Sequence, residues 1–171
     1  MRKVEVEPYQ EKWPRMFLEE AEKLREIFTG EILEIHHIGS TSVPGLQAKP
    51  IIDIMPVVKD ISNVDSFNEE MKHIGYTPKG ENGIPMRRYF EKGGDQRSHH
   101  VHFYEEGSRE IKRHLAFRDY LRTHPYEKQQ YGEVKQRLAQ QFPYDIAAYI
   151  QGKEQLVGEI ERKALIWLDQ E

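Results

Sequence analysis

The fold is decided by the stretch His37-Ile38-Gly39-Ser40-Thr41-Ser42-Val43-Pro44-Gly45-Leu46 and by the run Ile51-Ile52-Asp53-Ile54-Met55-Pro56-Val57-Val58 that follows it. The first stretch closes a segment, Ile32 to Ile38, whose side chains alternate as on a strand. The second run is apolar on both faces apart from Asp53, which is typical of a buried strand. The sequence therefore predicts two strands joined by a short loop rich in glycine, serine and threonine.

That loop has the composition of a phosphate-binding loop. Gly39 lets the backbone approach a ligand closely. Backbone N–H groups and the hydroxyls of Ser40, Thr41 and Ser42 can donate to phosphate oxygens, and Asp53 on the next strand can hold Mg²⁺ that bridges those phosphates. The Gly-Lys-Ser/Thr ending of a P-loop is absent. An ordinary polar turn is the alternative, because short loops of these residues are common.

Basic residues near these segments are candidates for binding phosphate. Lys49 precedes the Asp53 strand, and Lys153 lies near the start of a predicted helix. Arg87 and Arg88 are adjacent on one predicted strand and point to opposite faces, so at most one reaches a given site; we favour Arg88. Asp53 itself needs a partner, because a carboxylate is costly to bury unpaired. A metal ion, Lys49, an arginine and a histidine are the alternatives.

Two histidines on a later predicted strand are candidates for metal ligation. Strand alternation places His100 and His102 on one face, and Val101 and Phe103 on the other, which is the core face. With Asp53 they would form a set of two imidazoles and one carboxylate, which suits Zn²⁺, Mn²⁺ or Fe²⁺ better than Mg²⁺. The alternatives are that they bind an anion when protonated, or that they only donate hydrogen bonds to Asp53.

The remaining segments predict further strands and helices. A first helix that ends at Gly30 is predicted from apolar residues at helical spacing, with Glu19 and Glu20 in solvent. The residues expected on its buried face are Phe17, Leu18, Ala21, Leu24, Ile27 and Phe28. Ser62 is expected to cap a helix that runs to about Ile74. Two antiparallel strands are predicted at 86–91 and 99–105, and three helices at 108–124, 126–141 and 145–168.

The order of these elements predicts an α/β (α+β) fold, with a mixed sheet of about four to six strands flanked by helices. The α/β core is expected to span about 1–106, and a helical C-terminal part about 107–171. No convincing linker separates them. We therefore expect residues 1–171 to form a single domain, or two tightly packed halves with a boundary near Gly107.

Composition argues against several classes of protein. The 171 residues carry a formal charge of −4 and an isoelectric point near 6.1, so nucleic acid is not an expected partner. There is no cysteine, which rules out disulfides and thiolate chemistry and fits a reducing compartment. No apolar run approaches the roughly 20 residues of a membrane span, and the N-terminus does not read as a signal peptide. The sequence predicts a cytoplasmic protein without membrane contact.

The segments His37 to Leu46 and Lys49 to Ile54 resemble the signature of the GrpB family. The resemblance covers nearly the whole chain, roughly from Tyr9 to Ile166. Further matching segments are, in chain order, His100-Val101-His102, Phe117-Arg118-Asp119-Tyr120-Leu121-Arg122, Tyr144-Asp145, Tyr149 and Gly152-Lys153.

This resemblance implies a fold of the nucleotidyltransferase superfamily. Enzymes of that superfamily move nucleoside monophosphate onto antibiotics, nucleic acids or proteins, with Mg²⁺ held by aspartates, and relatives of the GrpB domain also occur fused to dephospho-CoA kinase. The superfamily pattern is Gly-Ser followed by Asp-x-Asp/Glu on a strand, with a third carboxylate on a neighbouring strand. Gly39, Ser40 and Asp53 match it. Met55 occupies the position of the second carboxylate, which is therefore missing.

Residues and resemblance together predict a nucleotidyltransferase-like protein that binds a nucleotide or another phosphorylated small molecule with a divalent metal, Mg²⁺ or Mn²⁺ ahead of Zn²⁺. Asp53, His100 and His102 are the predicted metal ligands and catalytic groups. Two alternatives are a non-catalytic nucleotide- or anion-binding domain with a degraded motif, and a metal-dependent hydrolase that uses the two histidines and the aspartate. The residues predicted to bind phosphate are Gly39, Ser40, Thr41, Ser42, Lys49, Arg88 and Lys153.

Overall fold

A computed structural model of the chain describes residues 2–170. These residues form one five-stranded mixed sheet and five α-helices, as the α/β prediction requires. The strands follow the spatial order β1-β2-β5-β4-β3; β2 and β5 run parallel, and the other neighbours run antiparallel. The strands are β1 (Ile32–Ile38), β2 (Ile52–Val58), β3 (Tyr76–Pro78), β4 (Arg88–Lys92) and β5 (His99–Glu105). The helices are α1 (Lys12–Ile27), α2 (Asn68–His73), α3 (Arg109–Thr123), α4 (Pro125–Gln141) and α5 (Ile146–Asp169).

The chain divides into two compact units, each assembled from separate stretches. The sheet unit comprises Glu11–Ile38 and Ile51–Ile111. The helical unit comprises Gly39–Pro50 together with the described parts of the terminal segments, up to Gln10 and from Lys112 onward. The organisation of residues 1–171 as one domain, with its helical part starting near 107, stays a prediction.

The predicted buried face of the first helix is confirmed at Ala21, Leu24 and Phe28 and is wrong at Leu18. Trp13, Ala21 and Leu24 are buried, whereas Leu18 is 60% exposed. These three buried residues recur at helical spacing on one side of the helix. Glu20 lies on this same side, with 3% of its surface exposed, so the expectation that Glu20 is a solvated residue is wrong.

Glu20 is tolerated in the interior because it is paired there. The Tyr76 hydroxyl donates to Glu20 Oε1 at 3.0 Å, and the Lys92 ammonium donates to the same oxygen at 2.7 Å. Burial raises the pKa of Glu20, but the contacts with Lys92, His99 and Tyr76 outweigh it and hold the pKa below its usual value. The carboxylate therefore connects α1 with strands β3 and β4.

Only the second part of the helix predicted from Ser62 to Ile74 is an α-helix. A 3₁₀ segment spans Ile61–Phe67, and α2 follows it. The cap is Asp60 and not Ser62, because Asp60 Oδ1 accepts from both the backbone N–H and the hydroxyl of Ser62, at 3.0 and 2.6 Å. These two bonds start the turn earlier than predicted.

An aromatic cluster fills the core of the sheet unit. The ring of Phe28, at the end of α1, packs on Phe67 and Phe103 at centroid distances of 4.6 and 4.8 Å. Phe90 packs edge-on against Phe103 at 5.5 Å. Phe103 and its neighbour Val101 are fully buried, which confirms the predicted core face of β5 and turns His100 and His102 to the opposite face.

The helical unit has its own core, to which the loop after β1 contributes. The predicted break between two helices is confirmed, since α3 ends at Thr123 and α4 begins at Pro125, and Asp145 caps α5 through a bond from the Ala148 N–H at 3.0 Å. None of the helices within residues 2–170 is long and apolar enough to cross a membrane. The main buried cluster consists of Val43, Leu46, Ala116, Tyr120, Leu121, Tyr131, Ile160 and Ala164.

Candidate functional site

Two neighbouring strands bring Asp53, His100 and His102 together on one face of the sheet. Asp53 on β2 lies opposite His100 on the parallel strand β5, and His102 follows on the same face. Asp53 Oδ1 lies 3.0 Å from His102 Nε2 and 3.5 Å from His100 Nδ1. One ligand atom from each residue lies within 4.8 Å of the others. The structure thus assembles the three residues that strand alternation and the family pattern had grouped.

The environment keeps Asp53 ionised. Burial raises the pKa of Asp53, but hydrogen bonds and positive charge from His100 and His102 outweigh it and hold the pKa well below the usual aspartate range. The carboxylate remains partly accessible, with 27% of its side chain exposed, against 18% for His100 and 13% for His102. The cluster therefore presents a fixed negative charge and two imidazoles at an accessible surface.

Tyr89 on β4 forms one wall of this cluster. It pairs with His102 in the antiparallel register of β4 and β5. Its ring centroid lies 5.1 Å from that of His102 and 5.5 Å from that of His100. Burial, reinforced by the charges of Glu91 and Asp53, raises the pKa of Tyr89 above its usual value, so the phenol stays protonated. Tyr89 therefore supplies packing and a neutral polar tip.

Arg87, and not Arg88, lies against the cluster. Arg87 Nη1 is 3.3 Å from His102 Nδ1. Arg88 Nε instead donates to Asp65 at 2.8 Å. Sequence reasoning missed Arg87 because the residue comes just before β4, where strand alternation no longer predicts the direction of a side chain. The phosphate-binding role assigned to Arg88 stays a prediction.

The donor set suits one divalent cation and does not suit two. Within residues 2–170, Asp53, His100 and His102 are the one group of three potential ligands with suitable spacing. A two-metal centre needs several bridging carboxylates, and Met55, the next residue on the Asp53 face, is apolar and fully buried. His100 Nε2 is buried and has no hydrogen-bond partner among those residues, and the nitrogen of this ring that faces Asp53 is Nδ1. A single cation would be held by Asp53 with imidazole nitrogen.

The predicted phosphate loop is a tight 3₁₀ turn at Ser40–Ser42. Gly39 precedes it with φ 73° and ψ −175°, a conformation that glycine adopts without strain. The backbone N–H of Ser42 donates to the Gly39 carbonyl at 3.1 Å, and the Ser42 hydroxyl donates to the same oxygen. Ser42 is therefore already engaged inside the turn. The phosphate-binding roles assigned to Gly39, Ser40, Thr41 and Ser42 stay predictions.

An arginine of α3 holds this turn from within the helical unit. Arg122 donates to the Ser42 carbonyl from Nε at 3.0 Å and from Nη2 at 2.8 Å. Lys128 Nζ donates to the Pro44 carbonyl at 3.0 Å. Because both contacts are made to backbone oxygens, they depend on the path of the loop and not on its side chains. Arg122 is the last residue of the GrpB-like segment that begins at Phe117, so this segment of α3 supports the loop.

Lys49 and Lys153 come together at one aromatic ring of the helical unit. Their ammonium groups lie 5.1 and 5.2 Å from the centroid of the Tyr149 ring, within the range of cation–π attraction. Burial raises the pKa of Tyr149 above its usual value, so its phenol is neutral. The pairing of these two lysines was not predicted, because they are far apart in the sequence.

The order of the sheet and its flanking helices define a nucleotidyltransferase-like α/β fold. Cid1, solved in complex with its short product ApU, superposes with a TM-score of 0.53 at 16% identity, over 76% of this chain and 42% of that one. At this identity the likeness concerns the fold alone.

The chain belongs to the GrpB family, whose model, described as GrpB protein, matches residues 3–163. The crystal structure of the conserved protein GrpB from Enterococcus faecalis is 45% identical, with a TM-score of 0.93 over 96% of this chain and 99% of that one. The UPF0157 protein YqkA of Bacillus subtilis is 54% identical over 97% of this chain. The chain spans only 48% of the length of YqkA.

The predicted occurrence of relatives joined to dephospho-CoA kinase is also confirmed. A dephospho-CoA kinase of Mycolicibacterium paratuberculosis is 26% identical over 97% of this chain, and the match accounts for 47% of that protein. The GrpB-like part is therefore one portion of a longer chain in that relative.

Proposed function

We propose that this protein binds a nucleotide or another phosphorylated small molecule together with one divalent cation, Mg²⁺ or Mn²⁺, at Asp53. The observation that supports the proposal is the cluster of Asp53, His100 and His102 on adjacent strands of a nucleotidyltransferase-like sheet. When bound, such a cation neutralises phosphate charge and orients the phosphoryl group. A cation held by so few protein ligands depends on phosphate oxygens to complete its coordination.

Asp53 and His100 have distinct roles in the proposal. Asp53 supplies the anionic oxygen, which is ionised at neutral pH. His100 supplies an imidazole nitrogen, either to the cation or to a proton of the ligand. The phosphate-binding roles of Ser40, Lys49 and Lys153 in the helical unit are separate proposals, each tested by its own alanine variant.

Binding without group transfer is a second candidate function, and Met55 is the observation that favours it. Met55 is fully buried at the position where the superfamily pattern has a second carboxylate. A single cation can hold a phosphorylated ligand, whereas stabilising both the attacking and the leaving oxygen is the task of two. Under this candidate function the protein binds a nucleotide and no acceptor substrate yields turnover.

The first experiment is a thermal-shift screen of nucleotides and phosphorylated metabolites, each with and without Mg²⁺ or Mn²⁺. Ligand at about 100 times its Kd adds roughly 2.7 kcal/mol to the free energy of unfolding, which raises the Tm by several degrees. We expect a shift that requires both ligand and cation. Asp53→Asn should abolish it. Asp95→Asn, an exposed aspartate in the same unit, is the matched control and should leave the shift unchanged.

The outcomes separate the candidate functions. A cation-dependent shift that survives Asp53→Asn would rule out the proposed site. A shift that Asp53→Asn removes, followed by turnover with some acceptor, would establish transfer and exclude the second candidate. The same shift without turnover across acceptors would favour binding alone.

A further inference from the structure

Arg87 is held in place by main-chain acceptors from the preceding turn. Only 7% of its surface is exposed. Its Nε donates to the Glu81 carbonyl at 3.1 Å, and its Nη2 donates to the Asn82 carbonyl at 2.8 Å. The guanidinium also lies 4.7 Å from the centroid of the Tyr89 ring. These contacts leave Nη1 pointing in one direction, toward His102.

The turn that supplies these acceptors is built with unusual backbone angles. Asn82 and Met86 have φ of 48° and 66°, in the left-handed region that side chains other than glycine rarely adopt. The Met86 N–H donates to the Glu81 carboxylate at 2.6 Å, which closes the turn. Such angles persist where the surrounding contacts require them. The orientation of Arg87 is thus a property of the whole turn.

The contact between Arg87 and His102 determines the tautomer of that histidine. Arginine carries N–H groups only and cannot accept a hydrogen bond. Nδ1 of His102 lies 3.3 Å from Arg87 Nη1 and must therefore be unprotonated, so that it can accept this hydrogen bond. The single proton of the neutral ring is then on Nε2, which lies 3.0 Å from Asp53 Oδ1 and donates to it.

This tautomer conflicts with metal ligation by His102. A ligating imidazole presents a lone pair to the metal and donates its outer N–H to an acceptor. For His102 Nε2 to ligate, Nδ1 would have to carry the proton and point it at the guanidinium. His100 meets no such conflict, since its Nδ1 faces Asp53 at 3.5 Å and its Nε2 has no protein partner within residues 2–170.

We propose that Arg87 is a positioning residue that holds His102 as the Nε2–H tautomer, so that His102 orients Asp53 and leaves cation binding to Asp53 and His100. The consequence for the cation rests on the proposed function, whereas the tautomer does not depend on any ligand. Arg87 thereby excludes a site with two histidine ligands and one aspartate. The metal-dependent hydrolase that the sequence allowed requires that site.

The test of the tautomer is a long-range proton–nitrogen NMR spectrum of the metal-free full chain with ¹⁵N-labelled histidine. It is recorded at about pH 8, above the ordinary histidine pKa of about 6.5, and His102→Ala assigns the signals. We expect Nε2 of His102 to be protonated and Nδ1 bare. A protonated Nδ1 in the wild-type protein would overturn the proposal, whether or not any nucleotide or cation binds.

Variants then test the role of Arg87. Arg87→Met keeps a long side chain without charge or donors, and should release His102 to a mixture of tautomers. Arg87→Lys retains a donor and should preserve the wild-type pattern at least in part. Arg25→Met, at an exposed arginine of α1 in the same unit, is the matched control and should leave the His102 spectrum unchanged. An unaltered His102 spectrum in Arg87→Met would also overturn the proposal.

Zinc titration, followed calorimetrically, gives a second readout. We expect Arg87→Met to bind Zn²⁺ about tenfold more tightly than the wild-type protein, on the scale that outer contacts of metal ligands control. Removing a positive charge also favours a cation, so the double variant Arg87→Met with His102→Ala separates the two effects. The increase in Zn²⁺ affinity should disappear in the double variant if His102 has become a ligand in Arg87→Met. A gain that persists in full would mean that charge alone is responsible and would contradict the role given to Arg87.

Discussion

Asp53 and His100 lie opposite each other in the one parallel strand pair of the sheet, between β2 and β5. Strand alternation then brings His102 to the same carboxylate, with Nε2 at 3.0 Å from Oδ1. Arg87 stands behind His102. The charge of Asp53 is thus surrounded by groups that favour it, and this arrangement links the stability of the fold to pH.

Asp53→Asn should reduce stability mainly above the acid range. The pKa of Asp53 is lower in the folded protein than the ordinary value of about 3.9. Its stabilising effect is therefore fully present above about pH 5 and is lost as the pH falls through the folded-state pKa. At pH 7 we expect the variant to lose about 1–3 kcal/mol of the free energy of unfolding, typical of hydrogen bonds to a charged group.

Urea unfolding of both proteins, at pH values from about 7 down to about 2, measures this difference. His100 and His102 face Asp53, Arg87 contacts the opposite nitrogen of His102, and Tyr89 packs against both imidazole rings. The difference in the free energy of unfolding between wild type and Asp53→Asn should narrow as the pH falls below about 4. Asp95→Asn should show no comparable gap. A gap that is independent of pH would contradict the depressed pKa.

The adjacent glutamates Glu19 and Glu20 should respond very differently to the same substitution. Glu20→Gln leaves the Lys92 ammonium beside a neutral amide in the interior, and breaking a buried ion pair on one side costs about 3 kcal/mol or more. Glu19→Gln is the matched control, since the Glu19 side chain is 66% exposed and pairs with Arg15 at 4.0 Å. We expect its effect to be within about 0.5 kcal/mol. If urea unfolding shows that Glu20→Gln and Glu19→Gln lose the same free energy of unfolding, the ion pair of Glu20 with Lys92 does not stabilise the fold.

Sequence reasoning was accurate where a single strand or helix decides the outcome. The bounds of β1 and β5 follow from alternation and from the apolar pattern around Val101 and Phe103. The break at Pro125 follows from a missing N–H and a fixed φ. The convergence of Asp53 with His100 could be proposed only through the family pattern, because the parallel pairing of β2 and β5 crosses an intervening stretch that no local rule spans.

Features that depend on tertiary contacts could not be predicted. Glu20 is buried because Lys92 and Tyr76 meet it from other strands, and its own sequence neighbourhood is polar. Arg87 reaches His102 because carbonyl groups of the turn before β4 orient its guanidinium. Strand alternation predicts only that Arg87 and Arg88 point to opposite faces. In both cases the deciding partner lies outside the local pattern of the chain.

Arg122 should stabilise the loop through the carbonyl of Ser42. Arg122→Met removes both donors to this oxygen, which costs about 1–3 kcal/mol if the carbonyl finds no other partner. Arg122→Lys retains one charged donor and should recover part of the loss. Arg137→Met, an exposed arginine of α4, is the control and should have little effect. Urea unfolding compares the three, and a loss in Arg137→Met equal to that in Arg122→Met would show that the Ser42 contact is not the cause.

Met55→Asp tests whether the fold still accommodates the second carboxylate of the superfamily pattern. Met55 is fully buried and pairs with His36 in the β1–β2 register. An unpaired carboxylate at this position is costly to bury, so the metal-free variant should lose several kcal/mol of the free energy of unfolding. Met55→Leu is the control, because a swap of similar volume costs less than about 1.5 kcal/mol.

The informative quantity is how far Mn²⁺ restores the Tm of Met55→Asp. Position 55 shares a strand face with Asp53, so two carboxylates there would create a stronger cation site than the wild-type protein has. A ligand that binds only the folded state stabilises it by mass action. Mn²⁺ should therefore raise the Tm of Met55→Asp by more than that of wild type or Met55→Leu, and adding Asp53→Asn should remove the difference. If Mn²⁺ gives Met55→Asp no larger shift than Met55→Leu, the carboxylate at 55 cannot reach the cation, and Met55 would be a packing residue with no relation to a lost metal ligand.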